Sequence, residues 1–196
     1  MFDSPERAFY RGATTRDMPT IEPDEFSAHL VVLAAASGAI WSRDITDNII
    51  AIAESHTYSV TAIAHALYEL TAPNSPNEDE LAVAVKTATA RESSLFTAIY
   101  AALTPQSRMM LEALSIEPTR HPMASDYMVR HRLTGSATVK KTLVTLIAGD
   151  HIAVDESGII NLTDPLLKRW LNTRWSRSSV AISGLPVLAI LSKKRT

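Results

Sequence analysis

The residues best spaced to do chemistry lie between positions 130 and 145, and that chemistry is recognition rather than catalysis. Arg130, His131 and Arg132 precede a run in which Ser136, Thr138, Lys140, Lys141, Thr142 and Thr145 place hydroxyl and ammonium groups at helical spacing. On a helix seated in a major groove, such groups hydrogen-bond base edges and neutralise phosphates. The candidate DNA-contacting set is therefore Arg130, Arg132, Ser136, Thr138, Lys140, Lys141, Thr142 and Thr145. Asp155-Glu156 opposes it, because a carboxylate pair on a neighbouring turn repels phosphate. The cations Arg108, Arg120, Arg130, Arg132, Lys140, Lys141, Lys168 and Arg169 face Glu112, Glu117, Asp126, Asp150, Asp155, Glu156 and Asp164. A near-neutral surface of this kind gains little from counterion release. Protein contact or internal packing is the favoured use of the element, and direct DNA binding is the alternative.

Catalytic chemistry finds no comparable footing. A P-loop needs G-x-x-x-x-G-K-[ST] so that its backbone N–H groups and lysine wrap the phosphates. The six glycines, at 12, 38, 135, 149, 158 and 184, stand too far apart to form one. Ile152-Ala153-Val154-Asp155-Glu156 imitates the apolar strand and Asp-Glu of ATPases, but Ser157-Gly158 directly after it indicates a hairpin turn. The histidines at 29, 56, 65, 121, 131 and 151 lack metal-ligand spacing, and no Gly-x-Ser-x-Gly elbow occurs. With no cysteine, thiolate catalysis, cysteine-zinc sites and disulfides are excluded.

The elements that must position the 130–145 face are legible from their ends and periods. Thr104-Pro105 caps and opens a helix carrying Met109, Met110, Ala113 and Leu114. A second helix runs from Ala124 to about Arg132 and closes at Thr134-Gly135. Ser136 is placed as the cap of a third, striped by Val139, Leu143, Leu146 and Ile147 and ended by Gly149. A hairpin follows, His151–Val154 and Ile159–Leu162 about the turn Asp155–Gly158. Asp164-Pro165 then starts a helix with Leu166, Leu167, Trp170 and Leu171. Three helices and a hairpin make a winged helix-turn-helix over residues 104–172.

Upstream, residues 23–103 form an all-helical bundle. Pro23 opens a helix with Phe26, Leu30, Leu33 and Ser37 inward, and Asp44-Ile45-Thr46-Asp47 starts one with Ile45, Ile49 and Ile52 inward. A third, from about Tyr58 to Leu70, buries Val60, Ile63, Leu67 and Leu70. Ser75-Pro76-Asn77-Glu78 is placed as a capping box before a long helix with Leu81, Val85, Ala88, Leu95, Ile99 and Leu103 in phase. Glu92 falls on that stripe and predicts a bend or an exposed turn. Residues 1–22 form a connecting segment, and 173–196 an irregular basic and apolar tail. The fold class is mostly α: a helical bundle followed by a winged helix with a β-hairpin wing.

The chain of 196 residues is 46% hydrophobic with a formal charge of −2, ordinary for a soluble protein and not the basic balance of a dedicated DNA binder. The apolar run Val180–Leu191 is shorter than the roughly 20 residues that span a bilayer, and no apolar leader opens the chain. A cytoplasmic location and no membrane partner are expected.

Leu103-Thr104-Pro105-Gln106-Ser107-Arg108, the spacing of Val139, Leu143 and Leu146, the hairpin, and Asp164-Pro165-Leu166-Leu167-Lys168-Arg169-Trp170-Leu171 together resemble a known family. It is the C-terminal winged helix of AAA-type ATP-binding proteins of the archaeal-ATPase and STAND-like group. Ala53–Tyr58 followed by Ala62–Tyr68 resembles that family's helical lid, Pro23–Phe26 the start of its first lid helix, and Arg7-Ala8-Phe9-Tyr10 the stretch leaving the nucleotide core. The resemblance implies that His56 and Tyr58 lie near nucleotide, although Thr57 stands where the family's lid turn carries proline. It also implies a lid and winged helix without their P-loop core: not an enzyme by itself, using ATP and magnesium only when paired with that core. The implied partner is a P-loop ATPase core or another protein. A stand-alone DNA-binding transcriptional regulator is the competing expectation.

Overall fold

The computed structural model describes residues 21–183. Residues 1–20 of the connecting segment, with Arg7–Tyr10, and the end of the tail from 184 onward lie outside the described residues.

Helix α1, Pro23–Ala36, begins with proline where an N–H has no helical partner, and Asp24 and Glu25 complement the dipole of its first turn. It ends at Gly38, whose φ of 80° suits a residue without Cβ. Its buried face is Phe26, Ser27, Leu30 and Ala34, not the Phe26–Leu30–Leu33–Ser37 stripe expected. Leu33 is 48% exposed. A buried polar contact turns the helix: the Ser27 hydroxyl meets that of Thr46 at 2.7 Å and donates to the Asp47 carboxylate. Both hydroxyls are satisfied, which lets them enter the core without the cost of an unpaired group.

Helix α2, Arg43–Ile52, is capped by Ser42, whose Oγ accepts from the Ile45 N–H, and it buries Ile45, Ile49 and Ile50, with Ile52 half-buried. Helix α3, Thr57–Thr71, is fully buried at Val60, Ile63 and Leu67, while Leu70 faces solvent. Thr71 takes the inward place instead, its hydroxyl donating to the Leu67 carbonyl at 2.8 Å.

Helix α4, Glu78–Arg91, carries a capping box two residues later than expected: Asn77 and Glu80, not Ser75 and Glu78, exchange the two bonds, each at 2.9 Å. Glu92 breaks the long helix, and α5 runs Ser93–Ala102. The break shifts the phase, so that Phe96 is buried and Leu95 is exposed.

The winged helix follows. Helix α6, Pro105–Ile116, is capped by Thr104 and buries Met110, Leu111, Ala113 and Leu114; Met109 is only half-buried. Helix α7, Ser125–Arg130, and α8, Ser136–Ala148, flank a turn in which Arg132 and Gly135 both have φ of 55°. Gly135, rather than Ser136, is the N-cap, and no side chain caps that end. Strands β1, Ile152–Val154, and β2, Ile160–Leu162, pair antiparallel with Ile152 opposite Leu162. Thr119, just after α6, bridges to Ile160 on the other edge of β2, a pairing the sequence pattern does not reveal.

Helix α9, Pro165–Ser183, is capped by the Asp164 carboxylate, which accepts from the Leu166 and Leu167 N–H groups. It continues past Leu171, where a fading apolar pattern had placed an irregular tail. Between Pro165 and Gly184 there is neither proline nor glycine to stop it. Its first turns join the two halves of the molecule. Trp170 packs on Phe96 and Tyr100, with ring centroids 6.0 and 5.9 Å away, and its indole N–H donates to Ser93 Oγ at 3.1 Å. Lys168 pairs with Glu54 at 2.8 Å, and Asn172 exchanges hydrogen bonds with Ser115. One continuous core therefore runs from Phe26 in the bundle to Leu171 in α9.

Candidate interaction face of the winged helix

Helix α8 is held on the domain by Val139, Leu143 and Leu146, and its opposite side is the candidate face. Ser136, Thr138, Lys140, Lys141 and Thr145 are exposed as the spacing requires. Thr142 is not: at 7% exposure it points into the domain, one turn from Val139 and Leu146. Thr145 is exposed, but its hydroxyl donates to the Lys141 carbonyl at 3.1 Å. Ile147, expected inward, is 48% exposed, and Val144 is 62% exposed. At about 100° per residue, Val144 is the centre of the exposed stripe, with Ala137, Lys140, Lys141, Ile147 and Ala148 within about 60° of it. The middle of this face is thus apolar, and the hydroxyls lie at its margins. Val144 was missed because only polar side chains were sought there; its 100° offset from Leu143 on a striped helix was the available signal.

The cations around α8 divide into two groups. Arg130 is committed: its guanidinium lies 3.1 Å from Glu117 and 3.4 Å from Asp126. Glu117 also takes the ring N–H position of largely buried His131 at 2.9 Å, and its backbone carbonyl accepts the Tyr127 hydroxyl at 3.0 Å. This cluster pins α7 to the end of α6 and leaves Arg130 poorly placed to hold phosphate. Arg132, Lys140 and Lys141, by contrast, have no ion pair or side-chain hydrogen bond among the described residues.

The wing tip is negative and internally locked. The Asp155 carboxylate accepts from the Ser157 hydroxyl and N–H, the Ile159 N–H and the Asn161 amide. These bonds, that of the Ser157 side chain first, hold it below the usual carboxylate range. Glu156 beside it is exposed.

The two positions assigned near nucleotide by resemblance fall in different surroundings. His56 is the N-cap of α3; its Nδ1 accepts from the Ser59 N–H at 3.4 Å and lies 2.8 Å from the Ser59 hydroxyl. Tyr58 donates its hydroxyl to Glu92 at 2.5 Å and lines a shallow groove of about 260 Å³ between α3 and α4. Ala62 and Ala88 also line it, with His65 and Arg91. Arg91 is paired with Glu69 at 2.6 Å, so the groove offers no unpaired arginine. Among the described residues no group of three or more histidines and carboxylates stands where it could hold a metal ion, and no helix is long and apolar enough to cross a membrane.

Residues 94–173 match a family model described as a probable winged helix domain. The match starts within α5, upstream of the boundary at 104 drawn from sequence, and takes in Phe96 and Tyr100, the two rings that receive Trp170. No curated protein and no solved structure matches the chain.

Proposed function

We propose that the chain is the non-catalytic lid and winged-helix portion of an AAA/STAND-like ATP-binding protein, acting as a regulatory and interaction module. The observation that carries this reading is the seam between bundle and winged helix. Trp170 belongs to the Asp164–Leu171 stretch on which the family resemblance rests, and it is buried at the point where α4 gives way to α5. Lys168 reaches back from the same turn to Glu54 beyond the end of α2. A displacement of the bundle would be carried through such a packed joint as rigid-body motion of the winged helix.

Helix α1 supports the same reading. Beyond Glu25 it carries no Asp, Glu, Lys or Arg, and Val32, Leu33 and the following Ile40 are all exposed. Exposed apolar side chains of that kind suit contact with a P-loop core. With nucleotide and magnesium held by that core, the bundle would close on it and the α8 face would present the closed state to a partner. The chain tagged at its native locus tests this. A product that contains a P-loop core, in the same polypeptide or tightly bound to it, is expected. A 196-residue protein that purifies alone, or one that hydrolyses ATP with a magnesium requirement, would refute the reading.

One observation favours the second reading, a free-standing DNA-binding regulator. Arg132 before α8 and Lys140 and Lys141 on it are exposed and have no ion pair among the described residues, on the element with which a helix-turn-helix meets the duplex.

A further inference from the structure

We infer that the exposed face of α8 docks an acidic amphipathic segment of a partner protein, with carboxylates on Lys140 and Lys141 and apolar side chains over Val144 and Ile147. The inference rests on the module reading above and names the partner's chemistry.

Two properties of the face set that chemistry. First, its charge is of one sign and unspent: α8 contains no Asp or Glu, and neither lysine has an ion partner among the described residues. Second, its centre is apolar. Val144 sits between the two lysines and Ile147, and Ala137, two turns before it, and Ala148, one turn after it, extend the smooth strip. A complementary surface must therefore offer carboxylates beside an apolar row, the arrangement of an amphipathic acidic helix.

A duplex fits this face less well. A helix in the major groove, about 12 Å wide, has phosphate rows along both edges, so the neighbouring wing must meet one of them. The wing presents Asp155 and Glu156. A single segment lying along α8 has no need to reach the wing. Two of the groups suited to base edges are also badly placed, since Thr142 is buried and the hydroxyl of Thr145 is spent on the backbone.

The test is a selection on the full chain from a display library of random peptides about 16 residues long, enough to span α8 as a helix. Enriched peptides are then titrated against wild type, K140E/K141E and Val144→Asp. All altered side chains are exposed, and matching circular-dichroism melts confirm that the variants fold. A random-sequence duplex is titrated in parallel. Enriched peptides are expected to combine Asp or Glu with an apolar row and to bind both variants about tenfold or more weakly. No enrichment, a consensus that is not acidic, or affinity retained on either variant overturns the inference and leaves the module reading in place. Tight duplex binding that is lost on K140E/K141E overturns both.

Discussion

Trp170→Ala probes the joint that makes one body of bundle and winged helix. The side chain is 7% exposed, touches two aromatic rings near 6 Å, and donates one hydrogen bond to Ser93. Emptying a site of this size costs about 3–5 kcal/mol, and the hydrogen bond accounts for about 1 kcal/mol of it. For a chain of this length that is a fall in Tm of roughly 6–20 °C. Trp170→Phe keeps a ring against Phe96 and Tyr100 but loses the bond and part of the contact, so about 1–2 kcal/mol is expected. Urea unfolding followed by far-ultraviolet circular dichroism measures both, with the slope against urea held unchanged. A loss below about 1 kcal/mol for the alanine variant, or equal losses for the two, would mean that Trp170 does not hold the joint. A wild-type transition in two separate steps would also contradict a shared core.

Two further outcomes follow from the fold. Asn77→Ala should cost about 1 kcal/mol through the lost cap of α4, whereas Ser75→Ala should change stability by less than about 0.5 kcal/mol, as thermal melts of the pair will show. Burial, reinforced by the Glu117 carboxylate, pushes the Tyr127 phenol well above its ordinary value. The folded chain then keeps a proton that the unfolded chain surrenders above about pH 10, so stability falls as pH rises past that point. Tyr127→Phe should flatten this fall between about pH 9.5 and 11.5, and should cost about 1 kcal/mol at neutral pH for the hydrogen bond to Glu117. Urea midpoints measured across that range check both effects.

Most of the helix ends were legible because they are local. Thr104-Pro105, Asp164-Pro165 and Gly38 act through their own backbone, and each stands where the pattern placed it. The errors arise where a distant partner decides. Leu33 is turned outward because Ser27 pairs with Thr46, and the cap of α4 moves because Asn77 and Glu80 offer a reciprocal pair. The site followed the same rule. Lys140 and Lys141 were legible as exposed from helical phase alone, whereas for Arg130 only the i, i+4 pairing with Asp126 is local, and the closer bond to Glu117 comes from the end of α6. The outward place of Val144 was equally legible from its 100° offset from Leu143, but an apolar residue beside a core leucine reads first as core. Ile147 and Thr142 exchanged places with expectation because the buried stripe is rotated from the apolar one, and α8 settles on Val139, Thr142, Leu143 and Leu146.

Whether α8 meets protein rather than DNA is read by a fluorescence-anisotropy titration of the chain and its K140A/K141A variant with random duplex and a selected-site library, at low and moderate salt. Only weak, unselective binding is expected, no tighter than about 10⁻⁶ M at moderate salt, with little difference between the two proteins. Sequence-selective binding near 10⁻⁸ M or tighter, lost in the variant with a salt dependence shallower by about one unit per lysine, would contradict it and place α8 in the major groove.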